Sequence, residues 1–394
     1  MRARRRRSAS ATPGMGVLFW SGWGDARPAI PSRQNQLTIA LAERVPLVTT
    51  DFIEPTFGLP GATIAKEEGT ERMIARIDLG ALGRLRPRRL RRWATPGLAP
   101  SLHAVLRAAD IREYALFLMG SRGPHTTLGL QRRRTVVDLI DPPFVAASRE
   151  IFRQQVPILT KGARLVTATS AELADEARQA GVEAVVVPNA CVEVAPLPSI
   201  RPAVPTVGYL GSLDWRFDVQ LVAEVARAMP EVRFVLAGRQ LDSLQPQLRA
   251  LRGLVNVDLP GAVPPSDTTA TLGGFSVGIV PFRTGFIGDA INPVKVYEYL
   301  AVGVPVLASP IRECREMDLV SCAGTPDEWV AAIRELLNKD DGAASMSRRD
   351  FASRNTWRVR ADALVDLMVD RGLIAPTAVR SRTPSTAAAT PSIT

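Results

Sequence analysis

Short apolar runs alternate with stretches of helical period along most of this chain, and the alternation restarts once near its middle. GVLFW at residues 16–20 reads as a buried strand, then come a Gly/Trp loop (SGWGDARPAIP), a helical pattern over 32–43 and a strand at 45–49. Residues 115–119 and 135–139 read as further buried strands, and 165–169 leads into a helix at 171–180 followed by VVVP at 185–188. After the Pro-rich, aperiodic stretch CVEVAPLPSIRPAVP (191–205) a second series begins. It contains TVGYLG at 206–211, a helix near 218–229, RFVLAG at 233–238, another helix, and the strands NVDLPG and FSVGIVPF. Uninterrupted apolar strands between helices are the pattern of parallel sheets covered on both faces. The predicted fold class is α/β, in two Rossmann-like domains. The expected boundaries are a disordered basic tail at 1–14, a first domain at 15–190, a linker at 191–205, a second domain at 206–345, C-terminal helices at 346–373 and a disordered tail at 374–394.

Residues 292–309, NPVKVYEYLAVGVPVLAS, read as a capped helix feeding a buried strand. Asn292 suits an N-cap, Pro293 the first helical position, and Gly303 the left-handed residue that ends a helix. Lys295 and Glu298 stand three apart on one face, while Val294, Tyr297 and Ala301 form another that can pack on a sheet. A helix N-terminus attracts phosphate through its unpaired N–H groups and dipole, and a carboxylate further along can accept both hydroxyls of a ribose. The alternative is a surface ion pair between Lys295 and Glu298. In the loop LGSLDWRFD (210–218), Gly211 allows close backbone approach of a ligand, and Arg216 either neutralises diphosphate charge or pairs with Asp214 or Asp218. Arg239, after a strand end, is a weaker candidate on the same logic.

The run from Glu298 through Tyr299, Leu300 and Ala301 to Pro305 and Val306 resembles the nucleotide-binding helix of GT-B glycosyltransferases, especially bacterial cell-wall and exopolysaccharide enzymes of the teichuronic-acid-biosynthesis type. SRQNQLTIALAERVPLV at 32–48 is similar to their first helix, ARLVTATSAELADEARQAGVEAVVVPNA at 163–190 to the segment closing their acceptor domain, and the helix over 351–368 to their last, crossing helix. The resemblance implies two domains facing across a cleft, with the C-terminal helix crossing back to the first. It implies a UDP- or GDP-sugar donor held by Gly211, Ser212, Arg216, Asn292, Pro293, Lys295 and Glu298, with Glu298 on the ribose, and no separate cofactor. Many retaining members carry a second acid eight residues before that Glu, where this chain has Ala290, with Asp289 adjacent. Ser212 stands where relatives place an Arg, and Lys295 is the candidate for the second cation.

Hydrophobic residues make up 46% of the 394, enough for two cores. No uninterrupted apolar segment reaches membrane-spanning length, and the arginines near the start run into Ser, Thr, Pro and Gly rather than an apolar signal core. Cys191, Cys314 and Cys322 match neither a disulfide framework nor a zinc spacing. A cytoplasmic setting is the expectation. The formal charge of +10 is uneven: residues 1–190 carry 28 Lys and Arg against 17 Asp and Glu, and the remainder 21 against 22. The excess concentrates in MRARRRR, in RLRPRRLRRW (84–93) and in Arg132, Arg133 and Arg134. These segments suit an anionic membrane surface and a glycan or polyprenyl-linked acceptor there; for the terminal run a solvated basic tail is the simpler reading. Nucleic acid is not expected, since no binding motif accompanies the charge.

No DxD occurs, so metal-independent transfer is expected, with positive groups and helix N-termini meeting the leaving-group charge. An inverting reaction needs a base in the first domain, for which His125, Asp138 and Asp141 are candidates. Trp20, Gly22, Trp23 and Gly24 either line an acceptor groove or, for the tryptophans, sit in the core. The competing function is a non-catalytic protein that keeps the fold as a binding or scaffold module, favoured by Ala290 and Ser212. A nicotinamide-dependent dehydrogenase has less support, since no G-x-G-x-x-G follows any strand.

Overall fold

In the computed structural model the described residues are 14–21, 32–52, 59, 61–78, 95–119, 134–140, 148–194, 203–339 and 342–381. The first lobe contains β1 (Gly14–Ser21), α1 (Arg33–Arg44), β2 (Leu47–Phe52), β3 (Gly61–Lys66), β4 (Met73–Asp78), α2 (Thr95–Ala108), β5 (Ile111–Met119), β6 (Thr135–Leu139), α3 (Arg149–Leu159), β7 (Leu165–Ala168), α4 (Ala171–Gln179) and β8 (Val185–Val186). The second contains β9 (Thr206–Leu210), α5 (Val219–Ala228), β10 (Arg233–Ala237), α6 (Gln245–Arg252), β11 (Val257–Gly261), α7 (Thr268–Gly273), β12 (Val277–Val280), α8 (Phe286–Asp289), α9 (Val294–Ala301), β13 (Val306–Ala308), α10 (Arg312–Arg315), β14 (Val320–Cys322) and α11 (Pro326–Lys339). Helices α12 (Gly342–Ser353) and α13 (Trp357–Asp370) follow.

Among the described residues the strands form an eight-stranded sheet, ordered β3-β4-β2-β1-β5-β6-β7-β8, and a six-stranded sheet, ordered β11-β10-β9-β12-β13-β14. Pairing is parallel throughout except between β3 and β4. Strands β6, β7 and β12 are buried along their whole length, which explains their mainly apolar sequence; the polar side chains of Asp138 and Thr167 within them bond each other. The β3–β4 hairpin, α2 and α3 are absent from the pattern reading. Strand β3 lies at the sheet edge, where only Ala62 and Ile64 pack, partly buried, against the core, so its six residues carry a weak pattern.

Local chemistry starts α1, α4 and α5 where the sequence places them, and starts α3 as well. The hydroxyl oxygens of Ser32, Ser148 and Ser170 and the carboxylate of Asp218 accept from backbone N–H groups in the first turns of α1, α3, α4 and α5. Helix α13 returns to the first lobe. Its Trp357, Ala361, Leu364, Val365 and Met368 share a core with Val17 and Phe19 of β1 and Leu37 and Leu41 of α1, and Arg44 pairs with Asp362 at 2.7 Å. The chain crosses between lobes along two adjacent segments: the Cys191 N–H donates to the Asn355 carbonyl (3.1 Å), and the Trp357 N–H to the Cys191 carbonyl (3.0 Å).

Residues 374–381, expected in the C-terminal tail, are packed on the first lobe. Ile374 and Ala378 are buried and the Arg380 N–H donates to the Arg44 carbonyl at 2.7 Å, because this segment covers apolar side chains of β1, α1 and α13. The arginines at 84–93, with Arg132 and Arg133, lie outside the described residues; Arg134 pairs with Glu113 at 2.6 Å. No helix among the described residues is long and apolar enough to cross a membrane.

Candidate active site

Between the lobes lies a cleft of about 560 Å³. Its floor is made by the carboxyl ends of strands from both sheets: Ile140 after β6 and Thr169 after β7 on one side, Gly211, Gly238, Ala262 and Phe282 after β9 to β12 on the other. Two glycines shape the second side. Gly211 has φ +150°, and a Cβ there would stand 2.2 Å from Lys295 Cε, so the lysine stem lies across the bare backbone. Gly238 has φ +143°, and its Cβ would meet the Gly211 carbonyl oxygen at 1.8 Å. The loops after β9 and β10 are thus pressed together, joined by the Leu213 N–H donating to the Arg239 carbonyl (2.9 Å).

Helix α9 supplies the charged wall. Its inner face is held by Val296, Tyr297, Tyr299 and Leu300, all buried. The hydroxyl oxygen of Tyr299 accepts from the Leu210 N–H at 3.1 Å, fixing the end of β9 against the helix. Lys295 and Glu298 face the cleft. The Lys295 ammonium lies 5.1 Å from the Tyr209 ring centroid and 5.4 Å from that of Phe282. Glu298 is half-buried, and among the described residues no protein group donates a hydrogen bond to its carboxylate. Burial pushes the Glu298 carboxyl above its ordinary value against the opposing charge of Lys295. No salt bridge joins the two among the described residues, unlike the surface-pair alternative.

Arg216 also lines the cleft, but it is paired: it donates to Asp214 through Nε (3.0 Å) and Nη2 (2.6 Å), and its guanidinium lies 5.8 Å from the Phe282 centroid. Burial raises the Asp214 carboxyl, and the hydrogen bond and charge of Arg216 more than offset that, holding it below the usual range. The salt-bridge alternative for Arg216 is therefore present together with its position in the cleft. Ser212 and Arg239 line the cleft too, and the Tyr209 hydroxyl donates to the Ser212 carbonyl at 2.8 Å.

Two expectations, for Asn292 and Asp138, are corrected, and two open alternatives, for Trp20 and for the Asp289–Ala290 positions, are resolved. Asn292 does not cap the helix: α9 begins at Val294 with Pro293 in the cap position and no side-chain capping bond. The Asn292 side chain is instead buried at 1% exposure and tied to Asn189, Glu313 and Tyr297. Asp138 is not available as a base, since it is fully buried and accepts from Arg33 (2.9 and 3.2 Å) and from the Thr167 hydroxyl (2.6 Å). Trp20 belongs to the core with Leu18, Val48 and Leu116 and lines no groove. Asp289 accepts from the Arg312 N–H at 2.8 Å, and Ala290 is buried against the first lobe; neither lines the cleft. His125, Asp141, Gly22, Trp23 and Gly24 lie outside the described residues.

Sequence reasoning missed the first-lobe wall. Ser32 and Arg33 at the start of α1, Thr169 and Asn189 line the cleft there. Arg33 uses its guanidinium on Asp138, the Pro188 carbonyl and Asn189. The Thr169 hydroxyl is 1% exposed and has no partner among the described residues. Their signal is position alone: each follows a strand end or opens a helix. No group of three or more His, Cys, Asp or Glu among the described residues is arranged to hold a metal ion.

Over nearly the whole chain this arrangement is similar to solved structures of two-lobed sugar-transferring enzymes. Sucrose-phosphate synthase from Thermosynechococcus elongatus superposes with a TM-score of 0.66 at 15% identity, covering 91% of this chain and 98% of that one. An α,α-trehalose-phosphate synthase (UDP-forming) from Burkholderia xenovorans gives 0.64 at 13% identity, covering 90% and 100%. Anabaena HepE, in complex with UDP and glucose, gives 0.61 at 16%, covering 90% and 99%. The fold is GT-B. Within it, residues 204–339 of the second lobe match the family Glycosyl transferases group 1. TuaH of Bacillus subtilis, named for teichuronic acid biosynthesis as a glycosyltransferase, is 23% identical over 157 residues. That similarity spans 38% of this chain and 40% of TuaH's length. In GT-B terms the cleft is the space between the lobes, and α9 is the helix of the second lobe that faces it.

Proposed function

We propose that the protein is a glycosyltransferase that moves a sugar from a nucleotide-diphosphate donor, held by the second lobe, to an acceptor presented by the first. The observation that carries this reading is the Glu298 carboxylate, half-buried in the interlobe cleft without a hydrogen-bond donor among the described residues, one turn beyond Lys295 at the start of α9. A ribose supplies the two donors that such an acid lacks, and the first turn of α9 with Lys295 meets the diphosphate as its charge develops. Gly211 and Ser212 bring backbone to the same point, and Arg216 adds a guanidinium already oriented by Asp214. Asn292 and Pro293 contribute by placing α9 rather than by capping it. UDP and GDP are the nucleotides of choice, in keeping with HepE bound to UDP and with the UDP-forming synthase.

For the acceptor we propose a glycan or polyprenyl-linked glycan of the cell envelope, on the strength of the TuaH similarity and of the arginine-rich segments, which suit an anionic membrane surface at the cytoplasmic side. His125 and Asp141 remain the proposed bases if the reaction inverts. The buried Ala290 and the Asp214-paired Arg216 favour the second reading, a GT-B protein that binds without catalysis. A thermal-shift panel of UDP, GDP, CMP and their sugars, followed by donor hydrolysis and transfer assays, separates the two. Stabilisation by UDP or GDP with turnover supports transfer, stabilisation without turnover supports the binding module, and no stabilisation by any nucleotide removes both.

A further inference from the structure

Beneath the cleft, three buried side chains use their polar groups across the two lobes. Asn292, two residues before α9, accepts the Asn189 N–H on its side-chain oxygen at 2.9 Å, and its carbonyl accepts from the Asn189 side-chain amide at 2.6 Å. The Asn292 amide donates to Glu313 Oε2 at 2.5 Å and to the Tyr297 hydroxyl at 3.2 Å. The other Glu313 oxygen accepts from the Ala171 N–H at 2.7 Å, in the first turn of α4. Asn189 and Ala171 belong to the first lobe, Asn292 and Glu313 to the second. Asn189, Asn292 and Glu313 are 7%, 1% and 7% exposed, so water does not substitute for a lost partner. The seam continues on both sides. Arg33 donates to Asn189 Oδ1 at 3.2 Å, and the Ser170 hydroxyl donates to the Ala290 carbonyl at 2.8 Å. Phe286 and Ala290 of the second lobe pack among Val137, Leu139 and Phe152 of the first.

We infer that Asn292 and Glu313 are positioning residues that set the separation of the lobes and so hold α9 at a fixed distance from the first-lobe wall. The inference rests on the proposed transfer reaction for its functional consequence. Donor groups come from one lobe and acceptor groups from the other, and transfer depends steeply on their alignment. Nucleotide affinity, which uses Lys295, Glu298 and neighbouring backbone of the second lobe, does not depend on that separation.

The test exchanges donor and acceptor within the seam. Asn292→Asp sets two carboxylates face to face, Glu313→Gln sets two amides face to face, and the double variant restores one donor opposite one acceptor with the polarity reversed. Hydrogen exchange at the Ala171 and Asn189 amides reads the seam directly. Each single variant is expected to raise exchange there more than about tenfold, and the double variant to return it to within about threefold of wild type. On hydrolysis of whichever UDP- or GDP-sugar the wild type turns over, the singles are expected to lose at least about tenfold in kcat, with the nucleotide Kd held within about threefold in Glu313→Gln, which lies outside the cleft lining, and the double to recover. Unchanged exchange in both singles overturns the inference. So does faster exchange with unchanged kcat, or a folded double variant that shows no recovery. If the wild-type chain binds none of UDP, GDP and CMP and hydrolyses none of their sugars, the proposed transfer reaction falls, and the exchange result alone judges whether the pair holds the lobes.

Discussion

A half-buried carboxylate without a hydrogen-bond donor carries a cost that a ligand removes, and among the described residues Glu298 has no such donor. Its acid form is favoured in the folded chain, so its contribution to stability is best below the ordinary glutamate value and worsens as pH rises through the raised folded value. Glu298→Gln removes that cost: at pH 7–8 the variant is expected to melt about 2–4 °C higher for each kcal/mol recovered, with the difference vanishing below about pH 4. The same site without its acid loses ligand. Glu298→Ala is expected to weaken UDP or GDP binding by about 2–3 kcal/mol in calorimetric titration, and unchanged affinity in a folded variant refutes the ribose assignment. Lys295 and Glu298 were legible in the sequence because a helix start and a three-residue spacing are local facts. The partners of Asn292 were not, because Asn189 is 103 residues away and Glu313 is 21. A side chain that suits a cap in isolation is claimed by a buried partner when the lobes meet.

At the scale of elements, the turn after β9 and the first turn of α9 form one unit, joined where the Lys295 stem crosses Gly211. Gly211→Ala is expected to preserve the fold at a cost of about 1–3 kcal/mol, since the flexible lysine end can move while the backbone keeps an angle that disfavours a side chain. Displacement of Lys295 then falls on the diphosphate: affinity for UDP or GDP drops while affinity for uridine or guanosine does not, and equal losses for both members of a pair count against the arrangement. Strands β1, β6, β7, β9, β10 and β12 were legible because burial on both faces selects continuous apolar runs. The β3–β4 hairpin was not, since an exposed edge strand imposes no comparable pattern.

For the whole molecule, α13 ties the end of the chain to the core of the first lobe while its connection runs beside the interlobe crossing. Trp357 is 4% exposed there, and Trp357→Ala is expected to cost about 3–5 kcal/mol. The loss should appear first in the eight-stranded lobe, as faster hydrogen exchange in β1 and α1 with β9 to β12 protected; equal loss in both sheets would show that the lobes unfold as one unit. From its order of residues alone, the chain determines an α/β architecture in two series, most buried strands, the serine-capped starts of α1 and α4 and the charged pair on α9. These follow from periodicity, capping and glycine geometry, which act within a few residues. Tertiary structure alone decides that Asp138 is spent on Arg33 and that Asn292 and Glu313 join the lobes. Whether a polar side chain faces a ligand or a buried partner depends on which groups the fold brings within hydrogen-bond reach, and local spacing carries no record of that.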